Sequence, residues 1–207
     1  MLKENSKAPQ FKLKDKDENE HQLSKIKADY FVVYFYPKDN TPGCTIEAGM
    51  FNKNLKEFKD LKTQIIGISG GDEKSKTKFC EKHDLKLLLL SDTDFSVSKK
   101  YQVYGEKSFM GKKYMGINRI TYILDKNLKI IKFYNKVKPF VHANEVLEFI
   151  KNQKWFILHY CNNVLNPPSL LSKMNKAKLN YFVDLLLTIA FLLVAITGIL
   201  KFPGWFG

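Results

Sequence analysis

The sequence predicts an α/β domain, a central sheet covered by helices, followed by one apolar helix able to reach across a bilayer. Three observations carry that expectation. Strand-like and helix-like segments alternate through the first 150 or so residues, which is the order of a helix-covered sheet. Hydrophobic residues at 44% and charged residues at 27% suit a folded chain, and 207 residues hold one ordinary domain plus an appendage rather than two full cores. An uncharged run then stands between Asp184 and Lys201.

The aromatic and β-branched run YFVVYFY from Tyr30 reads as a buried central strand. Thr41-Pro42-Gly43 supplies a cap, a proline suited to a first helical position and a small residue. Ile46, Met50, Phe51, Leu55, Phe58 and Leu61 then recur at helical spacing and predict one helix. QIIGIS from Gln64 reads as a strand, DEKSKTKFCEKHD as a polar-faced helix and LKLLLLSD as a short buried segment. RITYIL from Arg119 and LKIIKFY from Leu128 flank the turn Asp125-Lys126-Asn127, and HANEVLEFIKN closes the domain as an amphipathic helix.

The expected organisation is a domain over 1–153, a linker over 154–180 containing Pro167-Pro168, a transmembrane helix over 181–202 and a short tail over 203–207. Lys173, Lys176 and Lys178 precede the run and only Lys201 follows it. By the positive-inside rule the domain is expected on the cytoplasmic side of a single-pass membrane protein. The N-terminal MLKENSKAPQF has no apolar core of a secretory signal.

The net charge of +13 is spread over scattered lysines, and Arg119 is the only arginine, so no nucleic-acid partner is expected. Cys44, Cys80 and Cys161 are too few and too far apart for a disulfide framework or a zinc knuckle. His21, His83, His142 and His159 have no partner at metal spacing and read as surface or helix-start residues. Neither a metal nor a nucleotide cofactor is expected.

A strand ending near Tyr36 and a helix beginning near Pro42 put Cys44 in a first helical turn, where free N–H groups and the helix dipole favour a thiolate. A nucleophile and a small core residue are the two readings of such a cysteine. YFYPKDNTPGCTIEAG, from Tyr34 to Gly49, resembles the active-site signature of peroxiredoxins, in particular the bacterioferritin comigratory protein (Q-type) branch. The resemblance continues through GISGGDEKSKTKFCEKHDLKLLLLSD, GKKYMGINRITYILDKNLKI and VHANEVLEFI, over roughly residues 4 to 152.

That resemblance implies a thioredoxin-like fold and a thiol-dependent peroxidase acting on hydrogen peroxide or organic hydroperoxides. Pro37, Thr41, Cys44 and Arg119 match the family's catalytic set: Pro37 to shield the sulfur, the Thr41 hydroxyl to bond thiolate and peroxide, Arg119 to stabilise developing charge. Glu47, one turn after Cys44, either orients Arg119 or is an exposed helix glutamate. Many relatives carry a second cysteine where Gly49 stands, whereas Cys80 matches the resolving position of another subgroup. The implied cycle passes through a Cys44 sulfenic acid, a Cys44–Cys80 disulfide and reduction by thioredoxin or a similar dithiol. A one-cysteine peroxidase resolved by an external thiol and a membrane-anchored redox sensor or interaction module are the competing readings. Cys161 lies outside the resemblance.

Overall fold

β3 (Tyr30–Phe35) is the spine of the sheet, and its six residues are all buried because both faces are covered. Successive side chains go to opposite sides, Tyr30, Val32 and Tyr34 into one apolar cluster and Phe31, Val33 and Phe35 into the other. β4 (Thr63–Ser69) pairs with β3 in parallel and β8 (Ile120–Asp125) pairs with it antiparallel. With β1 (Lys12–Lys14), β2 (Glu20–Gln22), β5 (Leu88–Ser91) and β9 (Ile130–Tyr134) they form a mixed sheet of order β2-β1-β5-β4-β3-β8-β9. β6 (Tyr104–Phe109) and β7 (Lys112–Ile117) make a separate two-stranded ribbon.

The computed structural model describes residues 1–109 and 111–165. The chain divides into two units, Met1–Lys154 and Trp155–Gly207, and the sheet belongs to the first. One face of the sheet is covered by α1 (Pro42–Lys53), α2 (Leu55–Asp60), α3 (Glu73–His83) and the start of α5 (His142–Leu165), which contribute Ala48, Phe51, Phe58, Phe79, Val146 and Ile150. The other is covered by Ala8, Phe11 and Leu23 of the N-terminal segment and by Val97 of α4 (Ser96–Lys100). The α/β class expected from the alternation is the one observed.

Two expectations need correction. The single helix read through Leu61 is two helices, divided at Asn54, whose backbone (φ −91°, ψ 7°) leaves the helical path. The Asn54 side-chain amide donates instead to Asn144 Oδ1 of α5 at 2.7 Å, a tie to a distant element that helical periodicity cannot announce. His142 stands at the start of α5, as its context suggested, but is fully buried rather than on the surface, with Nε2 2.7 Å from Thr121 Oγ1 and its ring edge-on to Phe51 and Tyr134. The linker expected from 154 begins within α5, which continues to Leu165. The apolar run over 181–202 lies outside the described residues. Among the described residues no helix is long and apolar enough to cross a membrane.

Gly67 shows how tightly the helix-covered face is filled. A Cβ there would lie 2.6 Å from the Tyr34 ring and hydroxyl and 2.7 Å from Leu89 Cδ2, so glycine in β4 is what admits the Tyr34 side chain. Gly67→Ala is expected to destabilise the domain by about 1–3 kcal/mol through overpacking. Urea unfolding should show a lowered midpoint at unchanged slope.

Candidate active site

Cys44 is the third residue of α1, immediately beyond the loop that follows β3. The chain can turn there because Asn40 takes a left-handed conformation (φ 58°), which asparagine tolerates better than most residues, and because Pro42 stands at the start of the helix where no N–H is needed. Thr41 is the N-cap by its extended backbone, but its hydroxyl makes no capping bond. It donates to Lys38 O at 3.0 Å. The side-chain cap read from the sequence is therefore corrected: the hydroxyl proton is engaged within the loop, and the oxygen keeps acceptor capacity.

Arg119 arrives from 75 residues away because β8 runs antiparallel to β3 with Ile120 opposite Phe35. Its residue immediately precedes β8, at the end of the sheet where the Cys44 loop begins. The guanidinium Nη2 donates to Cys44 Sγ at 3.1 Å and Nη1 to Glu47 Oε2. Gly43 leaves room for this approach: a Cβ at that position would stand 3.3 Å from Nη2, a tight contact, and 3.7 Å from Pro139 Cγ. Of the two sequence readings for Glu47, the ion pair is the one realised, and Glu47 is fully buried rather than exposed.

Burying that carboxyl raises its pKa to about 7, with Arg119 pulling the other way. Glu47 Oε1 and the Tyr34 hydroxyl are both buried without a hydrogen-bond partner among the described residues. On the other side, Arg119 is pressed by its own burial but held protonated above its ordinary range by Glu47 and Cys44. His142 is lowered to about 4 by burial and by the Arg119 charge, so it is a neutral neighbour. Lys107 of β6 escaped the sequence reading. Its Nζ donates to Ile117 O at 2.9 Å, and its pKa is lowered by burial and by Arg119 while the Cys44 charge opposes. Nothing distinguishes it, as sequence, from the other lysines around it.

The structure thus gathers Cys44, Arg119 and Glu47 in direct contact, with Thr41 and half-buried Pro37 on the adjoining loop. Cys80 is not bonded to Cys44; both thiols are free, both are buried, and both line the same apolar cluster. Burial raises the Cys80 pKa. The Cys161 side chain lies outside the described residues.

A buried thiol in a first helical turn, braced by a guanidinium that a carboxylate holds in turn, is the arrangement of a thiol peroxidase. The AhpC/TSA family matches residues 5–133. The chain is 42% identical over 146 residues to peroxiredoxin Bcp of Bacillus subtilis (strain 168), covering 70% of this chain and 93% of that protein. It is 39% identical over 150 residues to peroxiredoxin Bcp of Escherichia coli (strain K12), covering 72% and 96%. Among solved structures, peroxiredoxin Q of Xanthomonas campestris superposes with a TM-score of 0.65 at 35% identity over 69% of this chain and 90% of that one. The peroxidoxin BcpB of Mycobacterium tuberculosis gives 0.66 at 28% identity over 73% and 98%. The chain belongs to the AhpC/TSA family and, within it, to the peroxiredoxins of the Bcp/Q group, with their thioredoxin-like fold.

The Glu47 shift fixes the sign of a pH effect. A carboxyl whose folded pKa lies above its unfolded value binds its proton more tightly in the folded state. The associated stability is complete below pH 4.5 and is lost as pH rises through about 7. Across that window the unsubstituted protein should lose up to about 3 kcal/mol relative to Glu47→Gln. Parallel unfolding curves for the two proteins would expose an error if they kept a constant offset.

Proposed function

We propose that the chain is a two-cysteine peroxidase in which Cys44 is the peroxidatic sulfur and Cys80 its resolver. The observation that carries this reading is the Arg119 guanidinium bonded at once to Cys44 Sγ and Glu47. One N–H of the fork favours negative charge on the sulfur, and the Glu47 bond keeps the fork from rotating away. The sulfur attacks the nearer oxygen of the peroxide, an S–O bond forms as O–O breaks, and the departing alkoxide or hydroxide takes up a proton. Charge moves from sulfur to the leaving oxygen beside the same fixed cation, which is where a preorganised donor lowers the barrier. Thr41 Oγ1, its proton already given to Lys38 O, accepts the peroxide hydroxyl. Pro37 shields the pocket from bulk water.

Cys80 then attacks the Cys44 sulfenic acid, forming the disulfide and releasing water, and a thioredoxin-like dithiol returns both sulfurs to thiols by exchange. The substrate is hydrogen peroxide or an organic hydroperoxide. The apolar run over 181–202, with lysines 173, 176 and 178 before it, holds the domain on the cytoplasmic side of a membrane. Such an anchor would keep the thiol where lipid hydroperoxides arise.

Treating the reduced protein with one equivalent of hydrogen peroxide and mapping peptides by mass spectrometry should yield a Cys44–Cys80 disulfide, and a Cys44 sulfenic acid in Cys80→Ser. Arg119→Lys should lower kcat/KM for peroxide by roughly 10² or more; an unchanged value would remove the guanidinium from the mechanism. Full-length protein should float with neutral phospholipid vesicles and resist alkaline extraction, while a chain ending at residue 180 should stay in the aqueous fraction. Equal partitioning of the two forms would end the anchor reading.

A further inference from the structure

Among the described residues, the most completely bonded charge pair lies outside the peroxide chemistry. Lys76 and Asp39 have side-chain exposures of 0% and 2%, with Lys76 Nζ 3.0 Å from Asp39 Oδ2 and 3.2 Å from Oδ1. The ammonium also donates to Ser69 Oγ at 2.6 Å and to Gly71 O at 3.3 Å. Asp39 accepts further from the hydroxyls of Tyr36 at 2.7 Å, Ser75 at 2.7 Å and Ser69 at 3.3 Å. This is the full satisfaction that a buried ion pair needs to persist. Burial lowers the Lys76 pKa, and Asp39 opposes that shift.

Its position in the fold gives it a role. Asp39 sits in the loop between Pro37 and Thr41, the loop that delivers Cys44. Lys76 is on α3, one helical turn before Cys80 and on the same face. We propose that the Asp39–Lys76 pair is a clamp joining the Cys44 loop to the Cys80 helix, and that its strength governs how readily Cys80 is released for resolution. This rests on the reading of Cys80 as resolver. Both sulfurs are buried and unbonded on separate helices, so any opening of α3 that presents Cys80 to Cys44 has to work against the contacts that Lys76, one turn away, makes with the Cys44 loop. Opening α3 through Lys76 would leave the Asp39 carboxylate buried without its cation, which the intact clamp resists.

The consequence is a choice of product. In one branch the Cys80 sulfur displaces oxygen from the Cys44 sulfenic acid, an S–S bond forms, S–O breaks and water leaves. In the other, a second hydrogen peroxide oxidises the sulfenic acid to sulfinic acid and is itself reduced to water. A tight clamp slows the first branch and lengthens exposure to the second. Gly71 belongs to the same device. A Cβ there would fall 2.1 Å from Asp39 Oδ2 and 3.2 Å from Lys76 Nζ, so the pair closes only over a residue without a side chain.

Three substitutions loosen the clamp by different means: Lys76→Met removes its cation, Gly71→Ala wedges it apart with every charge retained, and Ser75→Ala deletes one hydroxyl bond to Asp39. Full-length protein is mixed with hydrogen peroxide, and disulfide formation is timed by stopped flow while the sulfinic fraction at excess peroxide is measured by mass spectrometry. Lys76→Met and Gly71→Ala should form the disulfide roughly tenfold faster and Ser75→Ala about two- to threefold faster, with the sulfinic fraction falling in step. Leu124→Ala, in the opposite apolar cluster, should lower global stability without moving either quantity. Unchanged resolution rates in the folded variants, or an equal change in Leu124→Ala, would overturn the clamp. Absence of any Cys44–Cys80 disulfide in the unsubstituted chain would instead overturn the resolving role on which it rests.

Discussion

Everything at the candidate site depends on one guanidinium shared between a sulfur and a carboxylate. Arg119 reaches Cys44 because β8 runs antiparallel to β3 in the register that sets Ile120 opposite Phe35, and Gly43 spares Nη2 the tight contact a Cβ would make. Its direction is held by Glu47, one turn along α1 and fully buried, which accepts from the second nitrogen of the fork. A shift of register between β3 and β8 would carry the guanidinium along the sheet, away from the Cys44 turn.

Placing that much charge in a core sets up a conflict that the surrounding residues manage rather than remove. Glu47 has one oxygen on Arg119 and the other without a partner, and its carboxyl is correspondingly reluctant to ionise. Asp39, a few residues earlier in the chain, has donors on both oxygens and a lysine against them. The two acidic residues flanking Cys44 therefore differ in kind. One is an incompletely satisfied group tied to the reacting centre, and the other is a closed network tied to the scaffold. The loop between β3 and α1 is thus tied to the scaffold through Asp39, and the helix that follows it carries the less satisfied carboxyl.

The parts of this arrangement legible in the sequence were those with a local signature. YFVVYFY announces a strand covered on both faces, Pro42 announces a helix start, and a solitary arginine among lysines asks for a geometric reason. What could not be read depends on partners distant along the chain. Asn54 interrupts a helix whose apolar spacing continues to Leu61, and the partner of its amide, Asn144, stands 90 residues away. β1, β2 and α4 are short and polar, and no periodicity develops over three to five residues. His142 does start a helix, as its context suggested, but it is a core residue rather than a surface one, because Thr121, Phe51 and Tyr134 close around it in three dimensions. Lys76 was read as part of a polar helix face, and its burial is visible only once Asp39 and Ser69 meet it.

The contrast between Arg119 and Lys107 explains why a chain so rich in lysine keeps one arginine. Lys107 is close enough to Arg119 and Cys44 to feel both charges, yet its ammonium is committed to the Ile117 carbonyl. A lysine at position 119 could bring a charge near the sulfur, but its single nitrogen would have to be shared between sulfur and carboxylate in whatever direction its flexible stem allowed. The planar fork binds each acceptor through a different nitrogen, so holding Glu47 aims the other N–H at Cys44. Charge alone would help form a thiolate. In the proposed chemistry, aim is what would let the same donor follow negative charge from sulfur to the leaving oxygen, and that requirement is geometric, the kind that a scaffold of glycine, buried glutamate and antiparallel register can meet.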